Sequence, residues 1–146
     1  MSNAGRWLAE SLLNHFLRNV NTAAPPQHFL RLFISNPTSE DIGTEVQGGG
    51  YVPQAITFTA PEAVDGFIQI TNAAEIRFPV ATADWGNISD FTIHTAASGG
   101  NMIAFTAVAV PKLIEEGDEA KFIAGSIIIR VAGDSITASG DLLVNN

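Results

Sequence analysis

Two adjacent prolines, Pro25 and Pro26, divide this sequence into parts with unlike patterning, and that division limits the folds open to it. Neither proline carries an amide proton, and each biases the residue before it towards extended backbone, so a helix arriving from the amino-terminal side must stop there. Ahead of them Trp7, Leu8, Leu12, Leu13, Phe16, Leu17 and Val20 recur at helical spacing, which predicts one helix over residues 5–19, capped by Ser2 or Asn3. After them the chain becomes a succession of short β-branched and aromatic runs punctuated by Gly, Asn, Asp or Pro.

Those runs fall at residues 27–35, 51–59, 67–71, 75–78, 88–95, 102–110, 119–123 and 126–132, about eight strands in all. The first is dense in Phe29, Leu30, Leu32, Phe33 and Ile34, the pattern of a strand covered on both faces. Pro53 removes one ladder donor and places its strand at a sheet edge or at its own start. Ser98, Gly99, Gly100 and Asn101 read as a hairpin turn, and residues 111–118 as a longer one. Many short strands with no interleaved helices predict a mainly β fold, an antiparallel two-sheet sandwich of jelly-roll-like form with one N-terminal α-helix.

The expected organisation is a helix within residues 1–22, a sandwich over 27–132, and a tail over 133–146. That tail, ending in Leu142, Leu143 and Val144, is either a last strand of the same domain or an arm reaching a neighbour. The glycine-rich loop at 36–50, with Glu40, Asp41 and Glu45, is expected to be mobile until a partner orders it.

Composition narrows the function classes. A chain of 146 residues is one domain's length. Seven Lys and Arg against fifteen Asp and Glu give a formal charge of -8, which repels phosphate backbones and anionic lipid surfaces, so neither nucleic acid nor membrane is an expected partner. The chain has no cysteine, which excludes disulfides, a thiolate nucleophile and a cysteine-held metal. Glu10, Asn14, His15 and Arg18 interrupt the first apolar run, which argues against a cleaved signal peptide, and no run approaches the roughly 18 apolar residues of a membrane span.

Chemistry-bearing patterns are sparse. His15, His28 and His94 share no metal-ligand spacing. Gly125-Ser126 lacks the second glycine of a nucleophile elbow, and the triple glycine at 48–50 precedes Tyr51 where a phosphate loop needs a lysine and a helix start. Glu115, Glu116, Asp118 and Glu119 lack the spacing of a calcium loop and read as a solvated turn. Asp84 and Asp90 around Trp85 admit two readings: carboxylates beside a sugar-stacking ring, or a tight Asp-Trp-Gly turn whose indole plugs one end of the sandwich, which is favoured. No catalytic, cofactor-binding or metal-binding residue is named, and no cofactor is expected.

A set of residues follows in a characteristic order: Glu45 with the glycines and Tyr51, Ala55 and Phe58; Asn72 to Pro79 as Asn-Ala-Ala-Glu-Ile-Arg-Phe-Pro; Ala83-Asp84-Trp85-Gly86; Ser98-Gly99-Gly100-Asn101; and Gly117-Asp118 with Phe122 and Ala124-Gly125. Together with the helix, this order resembles the small tailed-bacteriophage structural proteins labelled phage tail fibre protein, over about residues 7–131. The resemblance implies a virion component, assembled in the host cytoplasm, with no catalytic residues.

A fibre shaft needs a stacking repeat or a sustained heptad seam, and this chain has neither. The expectation is therefore a capsid cement or decoration subunit, bound to the major capsid protein or other virion proteins and self-associating, for instance as a trimer on a threefold axis. The partner-binding residues expected are Trp7, Leu8, Leu12 and Phe16 on the helix and Leu142, Leu143 and Val144 in the tail. The helix also admits a plainer role, lying across an open end of its own sandwich. Alternatives are a tail-fibre or baseplate accessory module and a carbohydrate- or host-receptor-binding domain.

Overall fold

A computed structural model describes residues 3–38, 43–132 and 135–145. The fold is mainly β and sandwich-like, with one helix and three antiparallel sheets. Helix α1 (Arg6–Leu17) is followed by β1 (Phe29–Phe33), β2 (Gln54–Ala55), β3 (Glu62–Val64), β4 (Phe67–Thr71) and β5 (Ile76–Arg77). Then come β6 (Gly86–His94), β7 (Met102–Ile114), β8 (Glu119–Phe122), β9 (Ile128–Ala132), β10 (Ser135–Ser139) and β11 (Leu143–Asn145).

One layer is the sheet β2-β1-β6-β7. The opposite layer is divided into β10-β9-β4-β3 and β11-β8-β5. Alternation along β6 turns Phe91 and Ile93 to the same inner face. Phe91 meets Phe122 of β8 edge to face at 5.3 Å, while Ile93 faces Ile70, Ile129 and Ile136 of the other sheet across a small apolar cavity. The fully buried side chains Leu30, Leu32, Ile88, Ile114, Phe122, Ile127 and Leu142 join these layers into one core.

β1 is buried along nearly its whole length, as its unbroken apolar run predicts. β2 begins directly after Pro53 and lies at the edge of its sheet, where the missing donor costs no ladder bond. Ser98 to Asn101 joins β6 to β7, with Gly99 and Gly100 at φ +64° and +69°.

Four expectations are corrected. The run at 51–59 yields only β2 as a named strand. Residues 111–114 do not turn but continue β7, because Asp90 pairs with Ala107 and Ile88 with Lys112. Residues 108–111 therefore bulge opposite Ser89, where Pro111 owes no hydrogen bond to β6. The glycine-rich segment is not loose over residues 43–50: Ile34 N–H donates to Thr44 O, and Val46 N–H to Leu32 O. Glu40 and Asp41 lie outside the described residues. Asn3 does not cap α1, whose N-cap is Gly5 without a side-chain bond; Asn3 ties β7 to β10 through Phe105 O and Ala138 N–H. Ser2, the other expected cap, lies outside the described residues.

The tail pairs within its own chain, β10 on β9 and β11 on β8. Between them Gly140 passes so close to Phe91 that a Cβ there would stand 2.8 Å from the ring, and its carbonyl accepts the Ala109 N–H at 2.9 Å. That approach delivers Leu142 into the core.

Candidate functional site

The surface feature that sets this molecule apart is α1. Gly5 anchors it: its N–H donates to Ile103 O at 2.7 Å, and a side chain there would collide with the Met102 carbonyl. Asn19 ends it, adopting φ +57°, a conformation asparagine tolerates better than most residues. Successive residues rotate by about 100°, so Trp7, Leu8 and Ser11 share the side that rests on β7, while Leu13, Phe16 and Leu17 point away.

No residue of α1 is fully buried. Phe16 and Leu17 are 74% and 78% exposed, Leu13 57% and Leu12 37%. An amphipathic helix on a globular protein normally turns such residues inward. Here they form one contiguous apolar face, rimmed by the Arg6–Glu10 ion pair at 2.6 Å. Behind it, between α1 and residues 22–25, opens a cleft of about 320 Å³ lined by Trp7, Leu8, Leu12, Phe16, Pro25 and Ile103.

The expected contact residues thus separate. Leu12 and Phe16 are exposed on α1, Trp7 and Leu8 are half-buried against the sandwich, and Leu143 and Val144 are half-buried in β11. Leu142 is corrected: it has 0% exposure and no surface to offer a partner. Leu13, Leu17 and Val20 belong to the exposed face although the reading of contact residues omitted them. Their helical spacing was visible in the sequence; which side of the helix the sheet would cover was not.

The characteristic residues have other tasks. Arg31 is buried in β1, and its guanidinium meets Glu45 Oε1 at 2.7 Å while donating to Gly99 O at 3.0 Å. Tyr51 O–H donates to Glu45 Oε2 at 2.6 Å and accepts the Leu32 N–H at 2.9 Å. Burial first, and the hydrogen bond to Glu45 second, raise the Tyr51 phenol far above its ordinary range, so it stays protonated. Three segments are thereby locked onto β1: the glycine-rich segment, the β6–β7 turn and Tyr51 itself.

Trp85 is 4% exposed, donates its indole N–H to Gly49 O at 2.8 Å, and packs edge to face on Tyr51 and Phe78. It is the plug expected of it, and a buried ring offers no stacking platform for a sugar. Asp90 is buried, its carboxyl pushed upward by burial while the Ser89 hydroxyl donates to it at 2.6 Å; Asp84 instead accepts the Glu116 N–H at 3.0 Å. The acidic turn is not simply solvated, since Asp118 is buried and accepts the Glu115 N–H at 2.8 Å. No group of three or more potential metal ligands stands together among the described residues. His94 is buried, His15 touches Phe16, and His28 stands at the cleft. No helix among the described residues is long and apolar enough to cross a membrane.

A sequence model of the family described as podophage GP4 fiber I protein gp80 matches residues 3–130, nearly the whole chain. The chain belongs to that family. The gp80 family is one of phage tail fibre-type virion proteins, in agreement with the resemblance read from the ordered residues. No curated protein matches the chain. Within this gp80-family chain the matched segment spans α1, the Arg31–Glu45–Tyr51 lock and the Trp85 plug.

Proposed function

We propose that this gp80-family chain is a non-enzymatic structural subunit of a podophage tail fibre, held in the particle by the outward face of α1. The observation that carries the reading is that Phe16 and Leu17, at 74% and 78%, are the most exposed large apolar side chains among the described residues and stand with Leu13 on the one helix of a fibre-family chain. Exposed apolar surface of this extent marks a contact made in assembly. Family membership favours the tail over the capsid-cement role that the missing shaft repeat led to. A compact sandwich without a stacking repeat serves as a joint or collar within a fibre rather than as its rod.

The mechanism is mass action. Each contact lowers the free energy of the assembled state over the free subunit, and several modest contacts reinforce one another through effective concentration. Particles grown with the Leu13→Glu/Leu17→Glu variant should lack this chain by mass spectrometry, while the purified variant keeps its β-rich circular dichroism. Undiminished incorporation would remove α1 as the attachment. Cryo-EM of intact particles tests position: a copy number matching the shell subunits would return the chain to the cement role.

A further inference from the structure

We propose that the cavity between the two layers and the cleft behind α1 form one binding site for a free medium-chain fatty acid, its tail between the sheets and its carboxylate in the cleft. The outward face of the helix plays no part in it. The cavity, of about 270 Å³, lies between Ile93 of β6 and Ile70, Ile129 and Ile136 of the opposite sheet. The cleft, of about 320 Å³, runs along the inner side of α1. Leu8, His28 and Ile103 line both, so the two spaces adjoin and together reach the size of an ordinary small-molecule site, about 300–1,000 Å³.

The lining selects the ligand. Around the inner space every side chain except His28 is apolar, which gives water few of the two to four polar partners it needs and favours hydrocarbon. The outer space differs, because Ser11, His15 and Thr22 join His28 there. His15 accepts the Thr22 N–H at Nδ1, which puts its own proton on Nε2 as a donor. His28 is half-buried where the two spaces meet, and its ring has no hydrogen-bond partner among the described residues.

Charge and shape agree with that polarity. The chain carries -8, yet among the described residues no Asp or Glu lines either space, so a carboxylate in the cleft meets donors and no opposing charge. The lining from Leu8 to Phe16 follows about 12 Å of helix, a length that suits a linear chain better than a compact ring. The same tail occurs in membrane lipids. An acidic protein is repelled by anionic lipid surfaces, which favours the free acid as the source.

Calorimetric titration of the full chain with sodium octanoate, decanoate and dodecanoate tests the proposal. One equivalent should bind, with Kd falling about tenfold for every two methylenes added. Ile129→Trp fills the inner space and should weaken dodecanoate binding at least about tenfold. His28→Ala changes a half-buried side chain outside the core, and should weaken dodecanoate about fivefold while leaving dodecanol unchanged. Circular dichroism verifies that each variant folds; should the tryptophan disturb the core, the chain-length series and His28→Ala still decide. No dodecanoate bound at about 1 mM, a Kd indifferent to chain length, or a folded variant that binds as the wild type does would each overturn the site. Flotation with phosphatidylglycerol vesicles separates the sources: a chain left behind by the vesicles supports the free acid, and one that floats with them overturns it.

Discussion

The carbonyl of Gly49 accepts the Trp85 indole N–H at 2.8 Å, and a methyl group built at Gly49 would stand 2.8 Å from that same ring. Gly49 also holds φ +60°, so steric room and backbone conformation make the same demand. Gly49→Ala should cost about 2–3 kcal/mol, the left-handed penalty plus displacement of the indole. Gly48 has φ +73° but open space around it, so Gly48→Ala should cost only about 1 kcal/mol. Urea midpoints and the Trp fluorescence maximum of the two variants check the difference, and equal losses would refute the role of the Trp85 contact.

Among the described residues Glu45 is the carboxylate paired to Arg31, with side-chain exposures of 18% and 6%. Removing one member of a buried pair leaves a charge with neither water nor partner. Glu45→Ala should destabilise by about 3 kcal/mol. Tyr51→Phe removes one donor and strips the Leu32 N–H of its acceptor, and should cost about 1–2 kcal/mol. The losses should be non-additive in the double variant, because both act through the same carboxylate.

Burial chiefly, and the charge of Arg31 in addition, lower His94 to about 4. Its ring stacks on Phe33 and shares a 2.7 Å hydrogen bond with Thr92. Above pH 6.5 the imidazole is neutral in folded and unfolded chain alike. Below that, the unfolded chain takes up a proton that the folded one resists, so stability falls as pH drops from about 6.5 towards 4, by up to about 3 kcal/mol. Asp90 acts with the opposite sign, since burial favours its protonated form and so makes acid stabilising at that group. Urea unfolding at a series of pH values should show the fall, and His94→Gln should flatten it.

Asn72 is buried, donates to Ala74 O at 2.9 Å and Ile123 O at 3.0 Å, and accepts the Ile127 N–H at 2.9 Å. These bonds tie the end of β4 to the turn before β9. Asn72→Ala should cost about 3 kcal/mol, because the surviving backbone groups lose their partners in a dry setting. Asn72→Asp should cost more still, because a buried carboxylate oxygen would face the Ala74 and Ile123 carbonyls where the amide donates to them. Thermal unfolding of the two variants tests the ranking, and Asn72→Ala melting with the wild type would refute it.

Local signals carried much of the architecture. The proline pair, the unbroken apolar run of β1, Pro53 at an edge and the Ser98–Asn101 turn act through neighbours in sequence, and each stands where its chemistry requires. Pro111 misled because its tolerance depends on a bulge against Ser89, a residue of another strand. Glu45 misled in the same way: beside three glycines it reads as a loop acid, and only Arg31, fourteen residues earlier, makes it an interior group.

What the sequence alone determined is the β-rich character, the single helix and the family, because hydrophobic period, turn chemistry and residue order are properties of the chain itself. The tertiary structure decided the rest. It buried Leu142 while leaving Leu17 outside, divided the second layer into two sheets, and turned Glu45 inward. Two leucines of the same intrinsic hydrophobicity differ only in what stands across from them, and that is fixed by the packing of segments distant in the chain.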